Sequence, residues 1–254
     1  MPAWLLARSA RHFGLTARIY GPADPPIVEL AAEFPDLMAQ KTGAGYWLWK
    51  PTIILDALEN ADDGDVVIYS DAAALLIADP APLLALSIDH PIILFELSKE
   101  ITMRKWTKRD CFVALDADSP DYWNMVQLAG AAQVFRAGAE SRAFVGAVVE
   151  ACQVPGVLDD SPNVRGRANH PDFVAHRHDQ SVLSIVARQH GLPVFPDPSE
   201  YGPCAPREEI VRGDGWVRPA APYGQIVSHH RRRNTATIRY LLTGRFSWYL
   251  GRAA

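Results

Sequence analysis

Three short segments of the 254-residue chain carry residue types that can together perform group transfer. The first, Gly43-Ala44-Gly45-Tyr46-Trp47-Leu48-Trp49-Lys50-Pro51, sets a glycine turn, three aromatics and a cation at the mouth of a helix opened by Pro51. Free backbone N–H groups at such a mouth favour anions, so Lys50 is a candidate phosphate ligand. Trp47 and Trp49 are candidate surfaces for stacking a base or sugar ring. A plainer reading puts the tryptophans in the core and Lys50 in solvent. The second segment, Val66-Val67-Ile68-Tyr69-Ser70-Asp71, reads as a buried strand ending in a carboxylate. In open α/β sheets ligands bind beyond the carboxyl ends of strands, so Asp71 stands where a ribose hydroxyl or a metal would be met, although such an aspartate also serves as a turn residue. The third, His176-Arg177-His178-Asp179-Gln180-Ser181, gathers two imidazoles, a guanidinium, a carboxylate and an amide at a helix start. Asp179 there is either the N-cap or a group that faces a ligand.

Other patterns are excluded by their spacing. Gly43-x-Gly45 is no dinucleotide fingerprint, because its sixth position is Leu48 and no strand precedes it, and there is no Walker loop. A zinc site from His170, His176 and His178 lacks the usual ligand spacing and a partner cysteine. His229, His230 and Arg231 to Arg233 add imidazole and guanidinium groups suited to a diphosphate.

The elements that must position these groups alternate in an α/β rhythm over one domain, residues 1–254. Strands are expected at 17–20, 66–70, 91–95, 131–135 and 225–228, and helices at 51–60, 105–115, 141–152, 180–190 and 235–249. Segments 154–172 and 192–224, the latter with seven prolines, read as long loops over one face of the sheet.

With 48% apolar residues, the chain can bury a full core, and 25 basic against 29 acidic residues give no global drive towards nucleic acid. Cys111, Cys152 and Cys204 are widely spaced, which suits a reducing cytoplasmic compartment. No apolar run is long enough to span a bilayer, and Arg8 and Arg11 follow the first apolar residues in the wrong order for a secretory signal. Residues 225–254 carry six arginines and no acid, interleaved with Ile238, Leu241, Leu242, Phe246 and Trp248. That segment is either a terminal helix docked on the core or a basic amphipathic helix lying on an anionic membrane surface.

Taken in order, Gly43–Pro51, Tyr69–Asp71, Trp106–Asp110, Gln127–Arg136 and His176–Ser181 resemble a group of little-described GT-A-type glycosyltransferases of bacteria and viruses, over roughly residues 13 to 233. The resemblance implies a single GT-A, Rossmann-like α/β/α domain with a mostly parallel central sheet that binds a nucleotide-sugar donor. Its acceptor would be a saccharide or glycolipid of a surface polysaccharide pathway, met in the cytoplasm or at the inner face of the membrane. It places Trp47, Trp49, Lys50, Tyr69, Ser70, Asp71, Lys108, Gln127 and Arg231 at the donor, and His178, Asp179 and Gln180 at the transferred sugar and acceptor. A divalent Mn or Mg ion would take Asp71 and His229, but Ala73 replaces the second carboxylate of a D-x-D pair, which leaves a thin oxygen shell. The same departure admits an alternative, a nucleotide-sugar or carbohydrate-binding module without turnover.

Overall fold

The computed structural model describes residues 2–202, 210–211 and 216–229. The chain opens with α1 (Pro2–His12), α2 (Pro25–Glu33), α3 (Pro35–Met38), the single turn α4 (Gly43–Tyr46) and α5 (Trp49–Glu59). Strand β1 (Val66–Ser70) follows, then β2 (Ala74–Leu76), α6 (Ala81–Leu86) and β3 (Ile92–Glu96). Three short helices, α7 (Met103–Trp106), α8 (Arg109–Ala114) and α9 (Pro120–Trp123), lead to β4 (Leu128–Arg136) and the long α10 (Ala139–Gln153). After an irregular stretch come α11 (Asp179–Gln189), β5 (Val194–Pro196), β6 (Ile210–Val211), β7 (Val217–Arg218) and β8 (Val227–His229).

The central sheet has the order β1-β4-β3-β5. Its β1–β4 and β4–β3 pairs are antiparallel and only β3–β5 is parallel. The α/β class therefore holds, but the mostly parallel sheet implied by the resemblance does not form. An apolar run signals burial on both faces and leaves strand direction open.

Burial on both faces follows from the alternation along β3. Ile92 and Leu94 point into a large core with Phe112 and with Phe144 and Val148 of α10, and with Val182 and Val186 of α11. Ile93 and Phe95 point the other way, to Leu76, Leu83, Phe195, Tyr223 and Val227. On that second side β2 pairs with β8 in a two-stranded antiparallel ribbon, and α1 packs on β2. Arg218 on β7 makes a buried ion pair with Glu96 at the end of β3.

Local departures from expectation have identifiable causes. The expected strand at 17–20 is not formed, and Ile19 is exposed. The expected helix at 105–115 is broken into α7 and α8 by extended backbone at Thr107 and Lys108, whose hydroxyl and N–H are used across the fold by Ser181 and His176. Segment 154–172 is irregular throughout, as expected, while 192–224 contains β5, β6 and β7. The expected strand at 225–228 forms as β8, and the helix expected at 235–249 lies outside the described residues.

Candidate functional site

The first and third chemistry-bearing segments meet at the C-terminal end of β1. Lys50, in the first turn of α5, reaches between Asp179 in the first turn of α11 and Asp71 just past β1. Its Nζ lies 2.8 Å from Asp179 Oδ2 and 3.7 Å from Asp71 Oδ1, and it donates to the Gly130 carbonyl at 3.2 Å. The Lys50 and Asp179 side chains are only 6% and 8% exposed, and Asp71 is 13% exposed. Tyr69, whose ring lies 5.7 Å from the Lys50 ammonium, donates its hydroxyl to Asp71 Oδ1 at 2.8 Å. One buried cation thus serves two carboxylates, giving these three side chains a formal charge of −1 when all are ionised.

The burial has a direction. Behind the pair lies a pocket of about 10 Å³, lined by Gln133, Ile54, Phe144, Val145, Val148 and Leu183. That space is the size of one water, and its walls are mostly apolar. Asp179 is accordingly pushed above the usual carboxylate range by burial, pulled back by the charge and hydrogen bond of Lys50, and raised again by the nearby charge of Asp71.

Asp179 is not the helix cap. His178 occupies that place with φ 49° and ψ −122°, and no side-chain cap bond is made. The positive φ turns His178 against Tyr46 and Trp47, with ring centroids 4.9 Å and 5.4 Å apart, while its Nδ1 bonds with the Leu158 carbonyl at 2.8 Å. The aromatic partners are themselves set by α4, a left-handed turn in which Gly43, Ala44, Gly45, Tyr46 and Trp47 all have positive φ. For an L-residue that hand costs about 1–2 kcal/mol each, a cost borne by Ala44, Tyr46 and Trp47. Both glycines are required here. A Cβ on Gly43 would lie 2.3 Å from the Trp47 ring, and one on Gly45 2.9 Å from the Met38 backbone. Trp49 is tied to the same turn by an Nε1–H bond to the Gly43 carbonyl at 2.9 Å.

Beside Asp179, the Gln180 side chain donates to Gln127 Oε1 at 2.5 Å. The Gln127 amide in turn donates to the Trp106 carbonyl, Thr107 Oγ1 and Ser181 Oγ at 2.9, 3.0 and 3.0 Å. This buried network joins α7, β4 and α11 and fixes the start of α11.

Of the residues expected at the site, the structure gathers Lys50, Tyr69, Asp71 and Asp179, with Gln180 and Gln127 adjoining and His178, Trp47 and Trp49 bracing the approach. Ser70 adjoins Asp71 in sequence, its hydroxyl donating to the Asp71 carbonyl at 3.4 Å. Lys108 has a different occupation, its ammonium held by Asp159 at 2.9 Å and Ser161 at 3.0 Å, so that it pins the irregular loop. Asp159 is held below the usual carboxylate range, since the hydrogen bonds from Ser161 and Lys108 outweigh the upward push of its burial. Arg231 lies outside the described residues. Gly130 and Gln133 lie within the Gln127–Arg136 segment but are not among the expected site residues. A glycine inside a strand signals close backbone approach, and at Gly130 a Cβ would stand 3.4 Å from Lys50 Nζ and 3.6 Å from Asp179 Oδ2.

The expected metal ligands, Asp71 and His229, each have side-chain partners within the protein. Among the described residues no group of three His, Cys, Asp or Glu side chains is placed to hold a metal. Asp71 accepts from Tyr69 and faces the Lys50 ammonium, and His229 faces Glu200, with its Nδ1 3.6 Å from Oε2. The His170, His176 and His178 set is likewise dispersed in use. His176 Nε2 bonds with the Val157 carbonyl at 2.8 Å and its Nδ1 accepts from the Lys108 N–H at 3.2 Å, while His170 Nε2 meets Arg109.

No protein-family model matches the chain, and no curated protein matches it.

Proposed function

We propose that the chain is a glycosyltransferase that moves a sugar from a nucleotide-sugar donor to a saccharide or glycolipid acceptor, on a GT-A-type domain. The observation that carries this reading is the meeting of Lys50, Asp71 and Asp179 at the end of β1. Glycosyl transfer requires charge compensation on the departing nucleoside diphosphate and a group that accepts the acceptor's proton. Lys50 supplies the cation, and Tyr69, Ser70 and Asp71 supply acceptors and donors for the ribose and diphosphate side. Asp179, made more basic by its burial, is the group that takes the acceptor hydroxyl's proton in an inverting reaction, or steadies the sugar cation in a retaining one. Gln180 and the Gln127 network fix the helix turn that carries Asp179, and His178 packs against Trp47 of the left-handed turn.

Asp71 Oδ1 accepts from Tyr69 and faces the Lys50 ammonium, so a cation already stands at this carboxylate. Charge compensation then falls to Lys50, with Arg231 as a second candidate.

A second reading, a binding module without turnover, is favoured by Ala73, which stands in place of the second carboxylate of a D-x-D pair, and by the slight exposure of Asp179. Incubating the purified chain with UDP-, GDP-, CMP- and dTDP-sugars, with and without Mg and Mn, separates the readings. Release of nucleoside diphosphate (or of CMP from the CMP-sugar) supports the transferase. Binding without release supports the module, and neither binding nor release with any donor overturns both.

A further inference from the structure

A side-chain amide donates at one end and accepts at the other, so what faces it decides which way it points. Gln127, the residue before β4, is fully buried. Its carboxamide meets the Trp106 carbonyl at 2.9 Å, and a main-chain carbonyl only accepts, so the end of Gln127 that faces it is Nε2. The two hydroxyls alongside agree with this sense. Thr107 Oγ1 donates to Ser181 Oγ at 3.1 Å, and Ser181 Oγ donates to the same Trp106 carbonyl at 2.9 Å. Each hydroxyl has thereby committed its one hydrogen and presents lone pairs to Gln127 Nε2, both at 3.0 Å.

Gln127 Oε1 is therefore turned towards Gln180, and an oxygen there needs a donor. Gln180 meets it with Nε2 at 2.5 Å. The Gln180 carbonyl oxygen, carried on the same amide carbon, faces away from Gln127. Because Gln127 is fully buried and Gln180 only half-buried, that direction is the open side, and among the described residues no donor reaches Gln180 Oε1. A Cβ on Gly130 would lie 3.4 Å from Gln180 Cβ, 3.4 Å from Lys50 Nζ and 3.6 Å from Asp179 Oδ2, so the three side chains border one point on β4. Turning the Gln180 amide over would set its oxygen against Gln127 Oε1, which the buried network forbids.

We infer that Gln127 is a positioning residue that holds Gln180 with its carbonyl oxygen outward, so that the place beside Asp179 selects a ligand hydroxyl, which donates, over a group that only accepts. The choice of ligand rests on the transferase reading. With a diphosphate at Lys50 and an acceptor at Asp179, the group between them is the transferred sugar, and the selected hydroxyl is one on its ring.

The test is isothermal titration calorimetry of the full chain with UDP-glucose, UDP-galactose, GDP-mannose and dTDP-glucose, and with analogues of the donor that binds in which each ring hydroxyl in turn is replaced by fluorine. Fluorine has no hydrogen to donate. The wild type binds one such analogue about tenfold more weakly than its parent, the loss of one hydrogen bond to the outward oxygen. In Gln127→Leu the Gln180 amide is free to turn, and the preference at that position falls below about threefold. Gln127→Glu keeps it, because burial holds the carboxyl neutral, its O–H donating to the Trp106 carbonyl while its other oxygen accepts from Gln180. A merely structural role for Gln127 weakens parent and analogue alike and leaves their ratio unchanged. Melting temperatures by circular dichroism accompany both variants, and if Gln127→Leu does not fold, the wild-type series and Gln127→Glu decide. The assignment is overturned if a donor binds with no preference for hydroxyl over fluorine at any position, if folded Gln127→Leu keeps the wild-type preference, or if Gln127→Glu loses it. Each of these leaves the transferase reading standing. Failure of every donor to bind instead overturns the transferase reading, and the sugar hydroxyl with it.

Discussion

Removing either end of the Lys50–Asp179 pair has unequal consequences, and the inequality follows from Asp71. In Lys50→Met two carboxylates, Asp71 and Asp179, lose the ammonium between them while 13% and 8% exposed. Breaking a buried pair so that one partner's charge is stranded, here that of Asp179, costs about 3–5 kcal/mol. In Asp179→Asn, by contrast, the ammonium keeps Asp71 at 3.7 Å and the Gly130 carbonyl at 3.2 Å, so the loss is nearer that of one charged hydrogen bond, about 1.5–3 kcal/mol. The two variants also differ in pH dependence. Asp179 has its folded pKa raised above the unfolded value, so its ionisation lowers stability as pH rises through the folded pKa, and protonation on acidification restores it. Loss of Lys50 removes the group that pulls this pKa down, so the Lys50→Met penalty relative to wild type shrinks between pH 8 and pH 5. The Asp179→Asn penalty does not shrink in this way. Urea unfolding followed by tryptophan fluorescence at both pH values, with m-values checked for equality, measures this. A Lys50→Met chain that is unfolded at pH 8 and folded at pH 5 is the same result in extreme form. A Lys50→Met penalty under about 1 kcal/mol, or one equal at both pH values, would refute the argument.

Other expectations follow from the same geometry. His176 is buried and held neutral, its pKa lowered to about 3 by burial first and by neighbouring His178 and Lys108, so stability present above pH 6.5 is lost as pH falls towards 3, at up to about 1.4 kcal/mol per unit. His176→Gln flattens that part of a stability profile measured by thermal melts. Gly45→Ala places a methyl against the Met38 backbone at φ +94°, and a loss of about 2–4 kcal/mol in urea unfolding is expected. Gly130→Ala meets Lys50, Asp179 and Gln180 at 3.4–3.6 Å, so stability changes by about 1 kcal/mol or less, while donor binding measured by calorimetry weakens. Cys111 and Cys152 are fully buried, with thiols pushed up by desolvation, so alkylation at both is slow until denaturant is added, as mass spectrometry of the two peptides would show.

Much of this arrangement was legible in short-range pattern. β1 and the helix after Trp49 follow from apolar runs and from Pro51 near a helix start, although α5 begins two residues before the proline. Strand direction was not legible, because Leu128 to Arg136 reads equally well in either sense until its neighbours are known. β5 was hidden because a three-residue strand ending in Pro196 lacks a strand's usual signature. The role of Asp179 turned on a contact far along the chain. A carboxylate at a helix start caps locally by default, and only the approach of Lys50 and the positive φ of His178 redirect it inward. The left-handed turn was half legible, in that Gly43 and Gly45 announced it. The positive φ of Tyr46 and Trp47 goes with their packing against His178, a contact distant in sequence.

The central claim, that Asp179 paired with Lys50 performs sugar transfer, is tested most directly by comparing wild type with Asp179→Asn in binding and turnover of the nucleotide-sugar panel. The account predicts that one donor binds both proteins with affinities within about threefold, while release of the nucleoside diphosphate (or of CMP from a CMP-sugar) falls at least about a hundredfold in the variant. Equal turnover by the two proteins would contradict it, as would the absence of any binding or release by the wild type.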